Sequence, residues 1–286
     1  MSGHVGLGVG GKADMFYTTE TSGDLVKAVR LARTFGVPVT VIGEGLGVVV
    51  ADSGVRGLVV RNNSERIQLK PRRSFMSFLR KNEVKKVEVV IDSGVDIDVA
   101  IDKLLSLGIV GMEKYAGFSG SVGALISNEE PKDFLRKVSI LDSHGGVKSL
   151  GVGKRISGNI ITDATFLLNY GETKGLEQKI KIDRKKRTKI FEKSAGRVFE
   201  DILSDEQQAL GYPTRDPGYI IGEVLNMKGY KHKKMAISRI DSNVIVNLGG
   251  GKAEDYIALV EEIKSRASET IGIDLVEKVV RLGFQE

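Results

Sequence analysis

The 286-residue chain contains no cysteine. Disulfides, thiolate metal sites and a cysteine nucleophile are therefore excluded. Its three histidines, His4, His144 and His232, are far apart in sequence, which argues against a histidine-based metal centre. Proline is scarce, at 5 residues against 35 glycines. Many turns, few of them rigid, and no collagen-like period fit a strand-rich protein. No apolar run approaches the ~20 residues that span a bilayer. The glycine-rich N-terminus lacks an apolar signal core, so a cytoplasmic location is the default expectation. The net charge of +6 is dispersed along the chain. It suits an anionic ligand and is too small to argue for nucleic acid. Hydrophobic residues make up an ordinary 41%. The length allows two or three domains with a sizeable core.

What is present begins with residues 39–50, Val-Thr-Val-Ile-Gly-Glu-Gly-Leu-Gly-Val-Val-Val. Two apolar runs flank a loop with glycine at every second position: Gly43, Gly45 and Gly47. The simplest reading is strand, tight loop, strand. Residues without a Cβ let several N–H groups turn toward one point, where an anion such as a diphosphate can approach. The loop is neither the G-x-G-x-x-G that opens a dinucleotide-binding helix nor a P-loop. Taken alone, it reads equally well as a glycine-rich hairpin turn.

Around this stretch, residues 22–35 read as a helix capped by Ser22 or Asp24, with Leu25, Val29 and Ala32 inward and Gly36 as its stop. Gly57 to Arg61 reads as a strand and residues 65–92 as short strands. Asp96 to Leu107 reads as a helix with Val99, Leu104 and Leu107 inward. Residues 111–125 hold glycines at 117, 120 and 123 among small residues, a spacing that lets a short helix or turn pack tightly. Residues 137–150 read as a hairpin turning at His144-Gly145-Gly146, and Ile160 to Leu168 as a strand. The basic run 174–193 has Phe191 as its one ring, so it reads as a solvated helix or linker rather than a nucleic-acid site. Farther on, Tyr219 to Leu225 reads as a helix, and Met235 to Ile237 and Val244 to Val246 as strands. Lys252 to Thr270 is an amphipathic helix with Tyr256, Ile257, Val260, Ile263 and Ala267 on one face, followed by a strand at Val279 to Leu282. Helices on one side of a small sheet make an α+β cap.

Six motifs in order give the chain a likeness along nearly its whole length. They are Leu7-Gly8-Val9-Gly10-Gly11-Lys12-Ala13-Asp14, then Gly43-Glu44-Gly45-Leu46-Gly47, and Gly111-Met112-Glu113 with Gly117-Phe118-Ser119-Gly120-Ser121-Val122-Gly123-Ala124. Ser194-Ala195-Gly196-Arg197-Val198-Phe199 follows, then Met227-Lys228-Gly229 with Asn243 to Asn247, and finally Leu275 to Gly283. In this set the chain resembles the UDP-N-acetylenolpyruvoylglucosamine reductase (MurB) family. The resemblance implies an α+β architecture: a two-lobed FAD-binding fold of the MurB and vanillyl-alcohol-oxidase type, followed by a C-terminal α+β substrate cap. The implied parts are lobe 1 at 1–61, lobe 2 at 62–173 and the cap at 174–286. It implies FAD as bound cofactor, NADPH as co-substrate and a UDP-sugar as ligand, in a monomer without nucleic-acid or membrane partners. The implied reaction is reduction of UDP-N-acetylglucosamine enolpyruvate to UDP-N-acetylmuramate, for peptidoglycan synthesis. Flavin contacts are implied at Gly43, Glu44, Gly45, Leu46, Gly47, Gly117, Gly120, Ser121, Gly123 and Ile161. No metal is implied.

The departures from the family pattern fall on chemistry. The family's proton-donating Ser is Arg197 here, and arginine is no general acid at neutral pH. Its acid in the closing strand aligns with Lys278, while Glu277 is one residue away and so on the opposite face unless a bulge intervenes. The enolate-binding Arg matches Arg155. Ala236 and Asp241 stand where the family has Gln and His, and Asn128-Glu129-Glu130 replaces its N-A-G. Leu46 and Gly47 replace Ser and Asn, removing two hydrogen-bond donors worth about one to three kcal/mol of flavin affinity. Three readings follow. The chain is an enolpyruvyl reductase using Arg155, Arg197, Glu277 and Lys278; or a catalytically degenerate homologue that binds FAD or a nucleotide sugar; or a flavin oxidoreductase with another anionic substrate, clamped by Arg197 and Lys278.

Overall fold

The structure, a computed structural model, describes residues 1–70, 86–118, 120–128, 131–154, 156, 158–191 and 193–284. The chain forms two compact units. One comprises Met15–Glu44 and Gly57–Arg187; the other gathers Met1–Asp14, Gly45–Arg56 and Thr188–Glu286.

The elements run in chain order as β1 (Ala13–Thr19), α1 (Ser22–Thr34), β2 (Val39–Ile42), β3 (Val48–Val50), β4 (Val55–Asn62), β5 (Ile67–Lys70) and β6 (Lys86–Asp92). Next come α2 (Ile97–Ser106), β7 (Ile109–Val110), α3 (Val122–Asn128), β8 (Leu135–Leu141), β9 (Val147–Gly151), β10 (Ile160–Tyr170) and α4 (Leu176–Phe191). The rest are β11 (Ser194–Arg197), α5 (Ser204–Ala209), α6 (Pro217–Tyr219), β12 (Lys231–His232), β13 (Met235–Ile237), β14 (Val244–Asn247), α7 (Ala253–Ile271) and β15 (Val280–Leu282).

In the first unit, β10 is the spine of a six-stranded sheet ordered β5-β6-β10-β8-β9, with β7 also on β10. Val89, Ile91, Ala164, Phe166 and Leu168 lie in one core with Leu104 of α2 and Leu125 of α3. Helix α1 buries Leu25, Val29 and Ala32 as its spacing predicts, but its cap is Thr21, whose Oγ1 accepts from the Asp24 N–H at 3.0 Å. Helix α2 corrects the expected phase. Asp96 caps it, and Ile97, Ala100, Ile101, Leu104 and Leu105 face inward. Val99 is 59% and Leu107 41% exposed. Five apolar residues on the Ile101 side outweigh the stripe through Val99. Of the expected strands in 65–92, β5 and β6 are present and residues 71–85 lie outside the described residues. The basic run folds as α4, with Ile180 buried and Ile182 exposed.

In the second unit, β3 pairs in parallel with β15, Val48 opposite Val280. A four-stranded sheet, β11-β14-β13-β12, carries α7 on one face. Tyr256, Leu259, Val260, Ile263 and Ala267 of that helix are buried with Met235, Ile237 and Ile245. The first turn of α7 receives a distant cap: the N–H groups of Ala253 and Glu254 donate to the Asp52 carboxylate at 3.1 and 3.2 Å. Those amides have no partner within the helix, and a negative group there is favoured by the helix dipole. The helix expected from Tyr219 to Leu225 is instead α6 followed by a π-turn at Ile220–Val224. Asp216 starts it, its Oδ1 accepting from the Gly218 N–H at 2.8 Å.

The expected hairpin forms as β8–β9, with Leu141 opposite Val147. Asp142 fixes its turn. Its carboxylate takes Lys148 Nζ at 2.6 Å and the N–H groups of Gly146 and His144 at 2.8 and 3.0 Å. The Lys148 ammonium, then these amides, hold the carboxyl down at about 2. A depressed carboxyl contributes stability above its unfolded value, and that contribution is lost as pH falls through the folded one. Asp142→Asn is therefore expected to melt below wild type near neutral pH, with the gap closing on acidification from about pH 4 to about pH 2. Thermal melts across that range decide it; a gap that does not change with pH would mean the carboxylate charge is irrelevant.

Candidate functional site

The glycine stretch begins in the first unit. Gly43 follows β2, and a Cβ built on it would lie 3.0 Å from Ser121 Oγ. The segment bearing the second set of glycines thus sits directly against the first. Ser121 is 4% exposed, and its Oγ accepts from the Ala124 N–H at 3.3 Å at the start of α3. The Val122 N–H donates to the Val95 carbonyl and the Gly123 N–H to the Ser93 carbonyl, both at 2.8 Å. The first-turn donors of α3 are consequently used by the protein itself. Gly117 donates to Asp98 Oδ1 at 2.8 Å. Gly120 has φ +144, a region closed to L side chains, and its carbonyl accepts from the Ile97 N–H at 3.1 Å. Spacing by three here reflects close packing of these segments.

Beneath them Ser93, 3% exposed, is a junction. Its hydroxyl donates to the Ile161 carbonyl at 2.6 Å and accepts from Asn62 Nδ2 at 2.8 Å. One serine thereby ties the end of β4, the start of β10 and, through its carbonyl, Gly123 of α3. Ile161 itself is 9% exposed and belongs to the core. A buried polar network satisfied in this way rigidifies what it joins.

From Gly45 onward the loop belongs to the second unit. Gly45 has φ +73, and a Cβ there would come within 2.0 Å of the His4 carbonyl. Any side chain would collide with backbone, so this glycine is required by both conformation and space. Its carbonyl accepts from the Gly6 N–H at 2.9 Å. Leu46 lies over Gly6. The Gly47 N–H donates to the Ala195 carbonyl at 3.1 Å, and its carbonyl accepts from Val280 at 2.9 Å. Among the described residues, the N–H groups of Gly43, Glu44, Gly45 and Leu46 donate to nothing. Gly43 and Glu44 thus leave two successive backbone donors unspent in the first unit, and Gly45 and Leu46 leave two in the second.

In the second unit, Arg197 is already engaged. Its Nε donates to Asp241 Oδ2 at 2.9 Å and its Nη2 to Asp216 Oδ2. Burial opposes its charge, but Asp241 and Asp216 more than offset this, so the guanidinium is held protonated even more firmly than usual. Each aspartate also accepts a backbone N–H, from Asn243 and Gly218 respectively. The trio carries two negative charges against one positive. Ser194 is wholly buried, its Oγ accepting from the Gly196 N–H at 3.2 Å.

Glu277 and Lys278 point apart, as the alternation of an extended chain requires. Lys278 is exposed, while the Glu277 side chain is 10% exposed. Its Oε2 accepts from Arg281 Nε at 3.0 Å and Nη2 at 2.6 Å. Its Oε1 and the Tyr256 hydroxyl are both buried without a hydrogen-bond partner. Burial, and then the Glu277 charge, push the Tyr256 hydroxyl far above its ordinary value. Glu277 is therefore turned toward Tyr256 and Arg281. Arg155, Glu129 and Glu130 lie outside the described residues.

The cap's sheet also carries a cleft of about 390 Å³, lined among others by Lys193, Lys231, Ala236, Ser238, Arg239 and Val246. Among the described residues no carboxylate lines it, and Lys193, Lys231 and Arg239 have no ion-pair partner. These three cations escaped the sequence reading because they are scattered among unrelated charges.

Comparison with known proteins agrees with this layout. Residues 13–151 match a family profile described as FAD binding domain, and residues 185–282 one described as UDP-N-acetylenolpyruvoylglucosamine reductase, C-terminal domain. Curated proteins named UDP-N-acetylenolpyruvoylglucosamine reductase are similar over nearly the whole chain. That of Geobacillus kaustophilus is 28% identical, covering 99% of this chain and 91% of the relative. That of Rubrobacter xylanophilus is 28% identical, covering 96% and 91%. The crystal structure of the MurB enzyme from Thermus caldophilus shares the fold, with a TM-score of 0.71 at 22% identity, covering 98% of this chain and 96% of that one. The α+β fold expected from the motifs is thus the fold found, and the matches support the UDP-N-acetylenolpyruvoylglucosamine reductase family, with an FAD-binding domain followed by a domain that matches that family's C-terminal one.

Proposed function

We propose that the chain is a flavoprotein reductase that uses NADPH to convert UDP-N-acetylglucosamine enolpyruvate to UDP-N-acetylmuramate, a step of peptidoglycan synthesis, in the cytoplasm and as a monomer. The observation that carries this reading is the run of unspent amides at Gly43, Glu44, Gly45 and Leu46, in a chain that matches the family end to end. These residues, with Gly47, Gly117, Gly120, Ser121, Gly123 and Ile161, would hold FAD. Bound flavin supplies the hydride chemistry that side chains lack. Residues 1–61 and 62–173 would serve as its two lobes and 174–286 as the cap.

In the cap, Lys193, Lys231 and Arg239 would hold the diphosphate of the UDP-sugar. Unpaired cations in a cleft free of carboxylates attract a phosphorylated ligand before contact and neutralise it after. Arg155 would face the developing enolate. Arg197 has an Nη1 not committed to either aspartate, which can still donate to a substrate oxygen. Glu277, reached through water, would return the proton once it parts from Arg281, and Lys278 would add positive charge nearby.

A second reading has its own observation. The guanidinium that replaces the family's Ser is bonded to Asp216 and Asp241, and Glu277, next to the position of the family's acid, is bonded to Arg281. A general acid must present a proton to the reacting atom, and neither group is free to do so. On this reading the chain is a catalytically degenerate homologue that binds FAD or a nucleotide sugar, or a flavin oxidoreductase with another anionic substrate.

Two measurements separate these readings. Purified protein is expected to be yellow, or to take up added FAD with a shifted flavin band. NADPH oxidation that depends on UDP-N-acetylglucosamine enolpyruvate supports the first reading. Flavin binding without such turnover selects the second, and colourless protein that refuses FAD removes both oxidoreductase readings. For the cap, the double variant Lys231→Ala with Arg239→Ala is expected to bind UDP at least tenfold more weakly in low salt, with the difference shrinking as salt is raised. Calorimetric titration giving equal affinities for variant and wild type would remove the cleft from the substrate site.

A further inference from the structure

Arg61 stands in β4 opposite Ile42 of β2, the residue that precedes the glycine loop. No local sequence pattern singles it out. Its side chain is 27% exposed, but Nε is closed off from solvent and has no hydrogen-bond partner. The guanidinium rests against Glu44, with Nη2 3.7 Å from Oε2. Charge-assisted N–H···O bonds run at about 2.7–2.9 Å, so this is a loose ion pair. Among the described residues the side chain of Arg61 makes no hydrogen bond at all. The Glu44 carboxylate opposite is 40% exposed, and hence free to move. The charge of Glu44 also acts on Asp96, which is committed to capping α2 through the Val99 N–H at 3.0 Å.

A buried N–H with no acceptor is costly to leave unmade. In a guanidinium, Nε and Nη2 form one edge of the planar fork, matched to two oxygens of a phosphate or carboxylate. Glu44 occupies the neighbourhood of that edge without bonding to it. The residues that follow Ile42 are Gly43 and Glu44, whose N–H groups donate to nothing among the described residues. Leu46 and Gly47 offer no side-chain donor, so an anion at this loop would lack a side-chain partner unless one came from a neighbouring strand.

We propose that Arg61 is a binding residue of the glycine loop: its Nε–Nη2 edge takes two oxygens of a ligand phosphate, displacing Glu44, beside the amides of Gly43 and Glu44. That the phosphate belongs to FAD rests on the flavin reading above; that the loop takes a phosphate through Arg61 does not. Glu44 then acts as a placeholder, holding the guanidinium in position until the ligand arrives.

The test compares wild type, Arg61→Gln, Arg61→Lys and Glu44→Gln. Dissociation constants for FAD come from quenching of flavin fluorescence, and those for inorganic pyrophosphate from calorimetry on flavin-free protein. Arg61→Gln is expected to weaken both ligands tenfold or more. Arg61→Lys, which keeps the charge but loses the fork, is expected to fall between it and wild type. Glu44→Gln is expected to bind both ligands as tightly as wild type or more so. The flavin-free variants are expected to melt close to wild type, since Arg61 makes no bond there to lose. Arg61→Gln binding pyrophosphate and FAD within twofold of wild type would overturn the proposal. So would Glu44→Gln weakening both as much as Arg61→Gln does, because the ion pair itself would then be what matters. If Arg61→Gln does not fold, the lysine variant decides by the same criterion. Wild-type protein that binds pyrophosphate through Arg61 but not FAD would sink the flavin reading and leave this one standing.

Discussion

Strand β10 has to satisfy both of its edges over eleven residues, and the larger sheet is built around that requirement. It bonds β6 along one edge, with Asp163 opposite Asp92 through Asn169 opposite Lys86, and β8 along the other. Such a strand admits no slip, because a one-residue shift would exchange its core-facing Ala164, Phe166 and Leu168 for their neighbours. The cost appears where the two aspartates face each other. Asp92 is almost wholly buried, and burial first, with Asp163 contributing, pushes its carboxyl upward. Arg66 compensates, reaching Asp92 Oδ1 at 2.8 Å. Just past this pair, Ser93 accepts from the Gly123 N–H and donates to the Ile161 carbonyl. Fixing β10 therefore fixes the place of Gly123 and Ile161 as well.

The cap spends its charges on itself at one point and leaves them open at another. Arg197, Asp216 and Asp241 form a closed cluster in which each carboxylate also accepts a backbone N–H. A cluster satisfied in this way holds its members in one geometry, and breaking it would leave an uncompensated charge. In the cleft, Lys193, Lys231 and Arg239 are without such partners. A polar group that a protein has not satisfied internally is one for which a ligand has something to offer. The same reasoning underlies the proposals made above for Arg61 and for the loop amides.

Much of this was legible in the sequence. The alternating and three-spaced glycines marked both loops, and the apolar stripes of α1 and α7 were read in the right phase. Residue counts could also tell that Glu277 and Lys278 would point apart. Other features could not be read. Helix α2 has apolar residues on more than one face, so periodicity alone left Val99 and Ile101 as competitors until the sheet chose between them. The partners of Arg197 lie 19 and 44 positions away. No local pattern announces a side chain bridging such distances, and so the replacement of Ser by Arg read as a gain of positive charge when two aspartates cancel it. Thr21 lost out to Ser22 and Asp24 as the expected cap of α1 because all three residues have suitable side chains and only backbone direction distinguishes them.

The placement of β3 and Asp52 has a consequence for how the protein is made. Strand β15, at the far end of the chain, pairs with β3, and α7 starts on the carboxylate of Asp52. During synthesis the residues around position 50 leave the ribosome long before either partner exists. They must wait, with a strand edge and a charged side chain unmatched, while the residues of the six-stranded sheet emerge and find one another through much shorter loops. The sheet is thus favoured to assemble first. The other unit closes last, once β15 has emerged to pair with β3. A nascent chain stalled before position 280 would carry a finished sheet and an unfinished cap, and the edge left open on β3 would be the part of the molecule most exposed to pairing with the wrong neighbour.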